Sequence, residues 1–318
     1  MKQSYSSFQR LLSVLAVFLF AAMSAVGTPQ PAHAQSTLVV DADGLAAATD
    51  CDVNLPAFSG IQAAVNAALP GDTIQICPGA YDEQVVVTKN DLTIRGAGAG
   101  ITVLRPTVVA QNTVRPGTTS PVAPILLVDG ATGVRVSALT IDGNLADGGA
   151  DMLPTCSGIP FYVGIFFRNS SGTIDTAHVT HVMSAAFCAM GILGYSGAGG
   201  AVNMAVANSL LDSYGVGGII CLGRNTQCTV TGNTIRGRGP VNDQLQSGIS
   251  IRTRAAAVIS GNVITDHIYF PGHGALEFSV GISLFWADPS SNPHLLQDNV
   301  FANNQLDVQR YSTEAALH

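Results

Sequence analysis

The chain has 318 residues, with 11% charged, 6% aromatic, 34 glycines and a formal net charge of −7. That acidic balance excludes a partner that demands a basic face, so no nucleic acid is expected. Mean hydropathy is positive although only one long apolar run occurs, so the other apolar residues lie in short pieces that suit buried strands rather than membrane helices.

Lys2 and Arg10 give a basic start, Leu11 to Val26 is apolar, and Ala32-His33-Ala34 closes the segment with small residues. This order reads as an export signal over 1–34, with the mature chain 35–318 forming a single domain. The apolar run is shorter than the ~20 residues of a membrane span, and no span is expected in the mature part. Secreted, periplasmic and cell-surface locations all fit. Cys51, Cys77, Cys156, Cys188, Cys221 and Cys228 all follow the signal. An even count in an exported chain points to disulfides. The preferred pairs are Cys51–Cys77, Cys156–Cys188 (neighbouring insertions) and Cys221–Cys228 (flanking one bend), with buried free thiols as the alternative.

Ile61, Val65 and Leu69 recur at helical spacing before Pro70-Gly71, so 60–69 reads as a short amphipathic helix. Further on the chain repeats. Gly followed by Ile opens a strand at Gly164, Gly191, Gly218, Gly248 and Gly281. A second strand in each piece carries a polar residue between apolar ones, as in 205–211, 229–235, 258–264 and 295–301, with His178 at the Asn position of the earlier copy. One such piece cannot bury its apolar face alone, but a stack of them makes a continuous core. The helix over 60–69 would cover the open first turn. A β-sandwich is the rival, and it would show a regular series of hairpin turns, which is missing.

Residues 247–266 and the opening stretch 59–98 resemble the parallel β-helix repeat of the pectate-lyase-like (pectin lyase fold) superfamily, and the likeness extends over roughly 59–310. The resemblance implies an all-β, right-handed parallel β-helix with a short N-terminal capping helix, exported and acting on carbohydrate. It consists of structural positions and so implies no particular reaction. Of the superfamily's catalytic patterns, Gly272-His273-Gly274 matches one fragment of the polygalacturonase set without its partners, and Asp288-Pro289 does not continue as an epimerase signature. Pectin methylesterase-like motifs are not apparent. Arg252 or Arg254 resembles the arginine base of pectate lyases, without the flanking motifs.

Alternation within the Gly-Ile strands turns the fourth residue after each Gly outward, giving the column Arg168, Tyr195, Leu222, Arg252 and Phe285, with Arg224 and Arg254 two residues further on. An Arg-aromatic ladder suits a sugar chain or an acidic polymer, and a solvated face of stacked side chains is the alternative. Phe166, Leu193 and Ile220 also point outward and need a cover. Insertions at 142–163, 236–247 and 266–280 fall at one point of successive turns, where functional groups concentrate. They carry Asp142, Asp147 and Asp151, which would hold Ca²⁺ or simply form turns. They also carry Asp243, beside Arg236 and Arg238, and then His267, Tyr269, His273 and Glu277 as acid–base candidates or solvated loop residues. The expected partner is a polysaccharide, which the chain binds and, if it is an enzyme, cleaves as a lyase or hydrolase. The alternative is a non-catalytic solenoid that meets itself or another protein through Phe166, Leu193 and Ile220.

Overall fold

The computed structural model describes residues 34–47, 50–144, 161–183, 189–270, 278–285 and 294–311. Short strands follow one another in a fixed rota. Thr73–Ile76 enters a first sheet, Gly79–Tyr81 a second and Val85–Val87 a third, and Thr93–Arg95 returns to the first. The cycle continues to Leu306–Tyr311. Every pairing between successive turns is parallel, and one short strand, Thr113–Val114, adds an antiparallel contact to Pro121–Asp129. The chain is a right-handed parallel β-helix, as the repeats predict.

Alternate residues face the axis and meet their own kind one turn away. Leu38, Ile74, Ile94, Val136, Ile174, Val206, Val230, Ile259 and Leu296 form one such column on the first sheet. β-Branched side chains fit this half-pleated spacing of ~4.8 Å, and the buried members join one core that runs the length of the stack. The recurring glycines have a packing cause. A Cβ on Gly164, Gly191, Gly218 or Gly248 would lie 2.6–2.7 Å from the carbonyl oxygen of the glycine one turn on. Only a residue without a side chain lets the backbone of the next turn pass.

Asparagines bond to one another along the stack. Asn233 Nδ2 donates to Asn262 Oδ1 and Asn262 Nδ2 to Asn299 Oδ1, each at 2.9 Å. The left-handed backbone lies one residue earlier, at Thr176, Asn208, Gly232, Gly261 and Asp298. The observed register therefore corrects the sequence alignment by one place in two copies. Asn208 belongs to the left-handed column, and Ala177, not His178, matches the ladder position.

The helix α1, Ile61–Ala67, is capped from outside itself. The Glu83 carboxylate accepts from the backbone N–H groups of Ile61 and Gln62, and Lys89 Nζ donates to the carbonyls of Val65, Asn66 and Ala68. A carboxylate at the N-terminus and an ammonium at the C-terminus both oppose the helix dipole. The helix stops short of the expected Leu69 because the Asp72 carboxylate takes the Leu69 N–H at 2.7 Å. At the far end, Asn304 and Gln305 close the last turn. Gln305 Oε1 accepts from the N–H groups of Tyr269 and Ser279, and its Nε2 donates to the Tyr269 carbonyl. Cys51–Cys77 and Cys221–Cys228 are disulfides. Cys221 and Cys228 are both buried, so the second bridge ties two strands of one turn across the interior. Cys156 and Cys188 lie outside the described residues.

Candidate functional site

The outward column of the third sheet forms in the expected register and is longer than the sequence showed. It runs Asp129, Arg168, Tyr195, Leu222, Arg252, Phe285 and Tyr311. Its first half is a structural seam. Arg168 pairs with Asp129 at 2.8 Å and donates Nε to the Val114 carbonyl. The Arg115 guanidinium lies 5.2 Å from the Phe161 ring centre and 5.7 Å from that of Tyr195. Residues 105–120 thus reach over this part of the sheet. The parallel column Leu127, Phe166, Leu193 and Ile220 is at most 3% exposed. These side chains are covered within the single chain, which corrects their reading as a face open to a second protein.

In the second half this parallel column turns hydroxylic. Ser283 Oγ donates to Ser250 Oγ, and Arg252 Nε donates to Ser250 Oγ at 2.8 Å. The Arg252 guanidinium then lies 4.7 Å from the Phe285 ring centre, and Phe285 stacks on Tyr311 at 4.2 Å. Phe285 is 5% exposed, so its faces are occupied by Arg252 and Tyr311 rather than free for a sugar. Burial lowers the Arg252 pKa to about 10, with nearby Tyr311 acting in the opposite sense. Arg224 is exposed and Arg254 half-buried, each two residues beyond a member of the paired positions Leu222 and Arg252.

The insertions fare differently. Asp243 is held in a two-pronged contact by Arg238 Nη2, at 2.7 and 2.9 Å. His267 and Tyr269 are not loop residues. They end the strand Val263–Tyr269, and both point into buried surroundings. His273, Glu277, Asp147 and Asp151 lie outside the described residues. Asp142 accepts from the Asn144 N–H and meets His181, and among the described residues no set of three His, Cys, Asp or Glu converges as a metal site.

One constellation escaped the sequence reading. On the outer edge of the second sheet, Asp142, Thr180 and Asp212 occupy one column over three successive turns. His181 Nδ1 lies 2.9 Å from Asp142 Oδ1, and His178 Nε2 lies 3.1 Å from Asp212 Oδ2. The Thr180 hydroxyl donates to Asp212 Oδ1 at 2.5 Å. Burial by itself would raise the Asp212 pKa, but hydrogen bonds from His178 and Thr180, the His178 charge and Ser213 outweigh it and hold the carboxyl at about 2. The available signal was the order polar-apolar-polar over 178–180, which sets His178 and Thr180 on the opposite side of the strand from Val179, although Thr180 is itself buried. Placing His178 in the asparagine ladder hid it.

No protein-family model matches the sequence, and no curated protein is similar to it. Among solved structures, a pectin methylesterase from carrot superposes with a TM-score of 0.51 over 91% of each chain at 16% identity. A pectin methylesterase from Erwinia chrysanthemi gives 0.48 over 88% of this chain and 94% of that one, at 11% identity. Likeness at this identity establishes the architecture, and the fold that this chain shares with the carrot enzyme is the right-handed parallel β-helix.

Proposed function

We propose that this is an exported β-helix, with residues 1–34 as its signal and 35–318 as one mature domain, that binds an acidic polysaccharide at the corner where the third sheet turns into the first. The observation that carries the reading is the grouping of Arg224, Arg252 and Arg254 on adjoining turns. Among the described residues, Arg224 and Arg252 form no ion pair with a carboxylate. Arg252 is fixed by Ser250 and the Phe285 ring, so little side-chain entropy remains to be lost on binding. Guanidinium groups on adjoining turns suit a ligand that carries carboxylates at intervals. Two disulfides fit an oxidising compartment, and no described helix is long and apolar enough to cross a membrane. The reading is of binding at this corner, not cleavage, because even at about 10 Arg252 stays protonated at neutral pH and makes a poor base.

Titration calorimetry of the mature chain against polygalacturonate, alginate and dextran tests this. The acidic polymers are expected to bind in a salt-dependent manner and dextran not to. Arg224→Ala with Arg254→Ala should weaken binding by about tenfold or more, the scale of a lost charged hydrogen bond. Equal affinity in a folded double variant would refute the site.

A further inference from the structure

We propose that the corner between the second and third sheets carries a separate acid–base site, formed by the pairs His181–Asp142 and His178–Asp212, that hydrolyses neutral carboxylic esters. The arrangement is ordered by the stack itself. His178, Thr180 and His181 lie on one turn, Asp142 on the turn before and Asp212 on the turn after. Each carboxylate grips one imidazole of the middle turn. Asp142 receives Nδ1–H of His181, so the Nε2 lone pair of His181 is left to act, on a side chain that is 41% exposed. Asp212 receives Nε2–H of His178, which leaves Nδ1 as the second proton carrier.

The fold does not require these residues. The His178 position is Leu210, Thr234, Val263 and Val300 in later turns, and the left-handed His181 position is Ser213, Asp266 and Asn303. The groups around the pairs are Thr180 between them, Ser213 on Asp212, Tyr162, whose hydroxyl is tied to the Gly143 carbonyl, and Arg236, one turn beyond Asp212 in the same column.

The chemistry follows from which groups are free. Both carboxylates are committed to imidazoles, so neither is left as the raised-pKa acid or the nucleophile that glycosidic cleavage needs. Two oriented imidazoles fit acyl transfer to water. His181 Nε2 takes a proton from water as the water oxygen bonds to the ester carbonyl carbon. The carbonyl pair moves to its oxygen and returns as the acyl C–O bond breaks, and the departing alkoxide takes the proton from His181. The products are a carboxylic acid and an alcohol, and no further reactant is needed. Two carboxylates against the single guanidinium of Arg236 disfavour an anionic substrate, hence an uncharged ester.

The test uses the purified mature chain and p-nitrophenyl acetate, which is neither polymeric nor anionic, so the result stands whether or not a polysaccharide binds at the arginine corner. Hydrolysis should exceed that of imidazole at equal concentration and rise with pH, because only the unprotonated ring can take a proton from water. His181→Gln should cost about a hundredfold, the lower scale of general-base catalysis. Asp142→Asn should lower the rate and displace the pH profile, and Asp142→Glu should restore part of both. A rate no higher than that of imidazole, or one unchanged in folded His181→Gln, would overturn the proposal.

Discussion

His267 lies in the interior with no exposed surface, Nε2 at 2.6 Å from the Tyr214 hydroxyl and Nδ1 at 2.9 Å from Asn304 Oδ1. The neutral ring satisfies both partners, accepting from Tyr214 and donating to Asn304. Burial lowers its pKa from 6.5 to about 4, against the smaller opposing effects of Asn304 and Asp266. Between those values the unfolded chain binds a proton that the folded chain refuses. Stability is therefore full above pH 6.5 and falls as pH drops towards 4, by ~3 kcal/mol in all for this gap. Urea unfolding at pH 7.5 and 4.5 should show that loss, and His267→Leu should be weaker at pH 7.5 but lose less between the two. A wild-type midpoint that does not move would contradict the neutral buried ring. Asp212 acts in a lower window. Its contribution is present above the ordinary carboxylate range near 3.8 and disappears as pH falls through about 2. The sequence placed His267 in a loop because the neighbouring strand breaks register between Arg236 and Gly239, and that irregularity disguises the alternation that carries the ring inward.

Strands and turns were legible wherever they repeat, but the reason for the repeat was not. Gly-Ile was visible as a recurring opening, whereas the carbonyl that excludes a Cβ belongs to a glycine about thirty residues away and appears only when the turns are stacked. The asparagine turns were legible as a class, and the slip at Asn208 and His178 arose because a left-handed residue and a ladder residue are adjacent and both favour Asn. The ladder predicts unequal costs. Asn262 is fully buried, its Oδ1 accepts from the backbone N–H and Nδ2 of Asn233, and its Nδ2 donates to the Val230 carbonyl and to Asn299. Asn262→Ala leaves several of these groups unpaired and should cost about 3 kcal/mol. Asn299 is half-buried at the end of the row, and Asn299→Ala should cost nearer ~1 kcal/mol. Equal losses in denaturant melts would mean that burial along the ladder does not set the energy. The arginine column was legible by the same counting, but that Phe285 is covered was not, since its cover comes from Tyr311 one turn later.

At the scale of the whole molecule, one core links the turns from Val40 to Leu284, so each turn depends on its neighbours and the ends are the least supported. The two disulfides sit differently in that stack. Cys51–Cys77 spans 26 residues and fastens the segment 41–58, which otherwise holds by isolated bridges such as Ala46 N–H to the Leu55 carbonyl and Asp41 N–H to the Phe58 carbonyl. Cys221–Cys228 spans 7 residues in the interior of a middle turn. Loop entropy alone ranks the longer bridge first, at ~3.5 against ~2.4 kcal/mol. The stack reverses the consequence. Cys51→Ala with Cys77→Ala should free an end, so that a protease cuts within 41–58 early while the main melting transition stays close to wild type. Cys221→Ala with Cys228→Ala also removes a bridge packed in the core between two inner columns, and it should lower the main transition and leave the N-terminal segment protected. Limited proteolysis followed by mass spectrometry, beside thermal melts of both variants, separates the two. If the first pair lowers the main transition more than the second, loop length rather than position in the stack governs the stability of this solenoid.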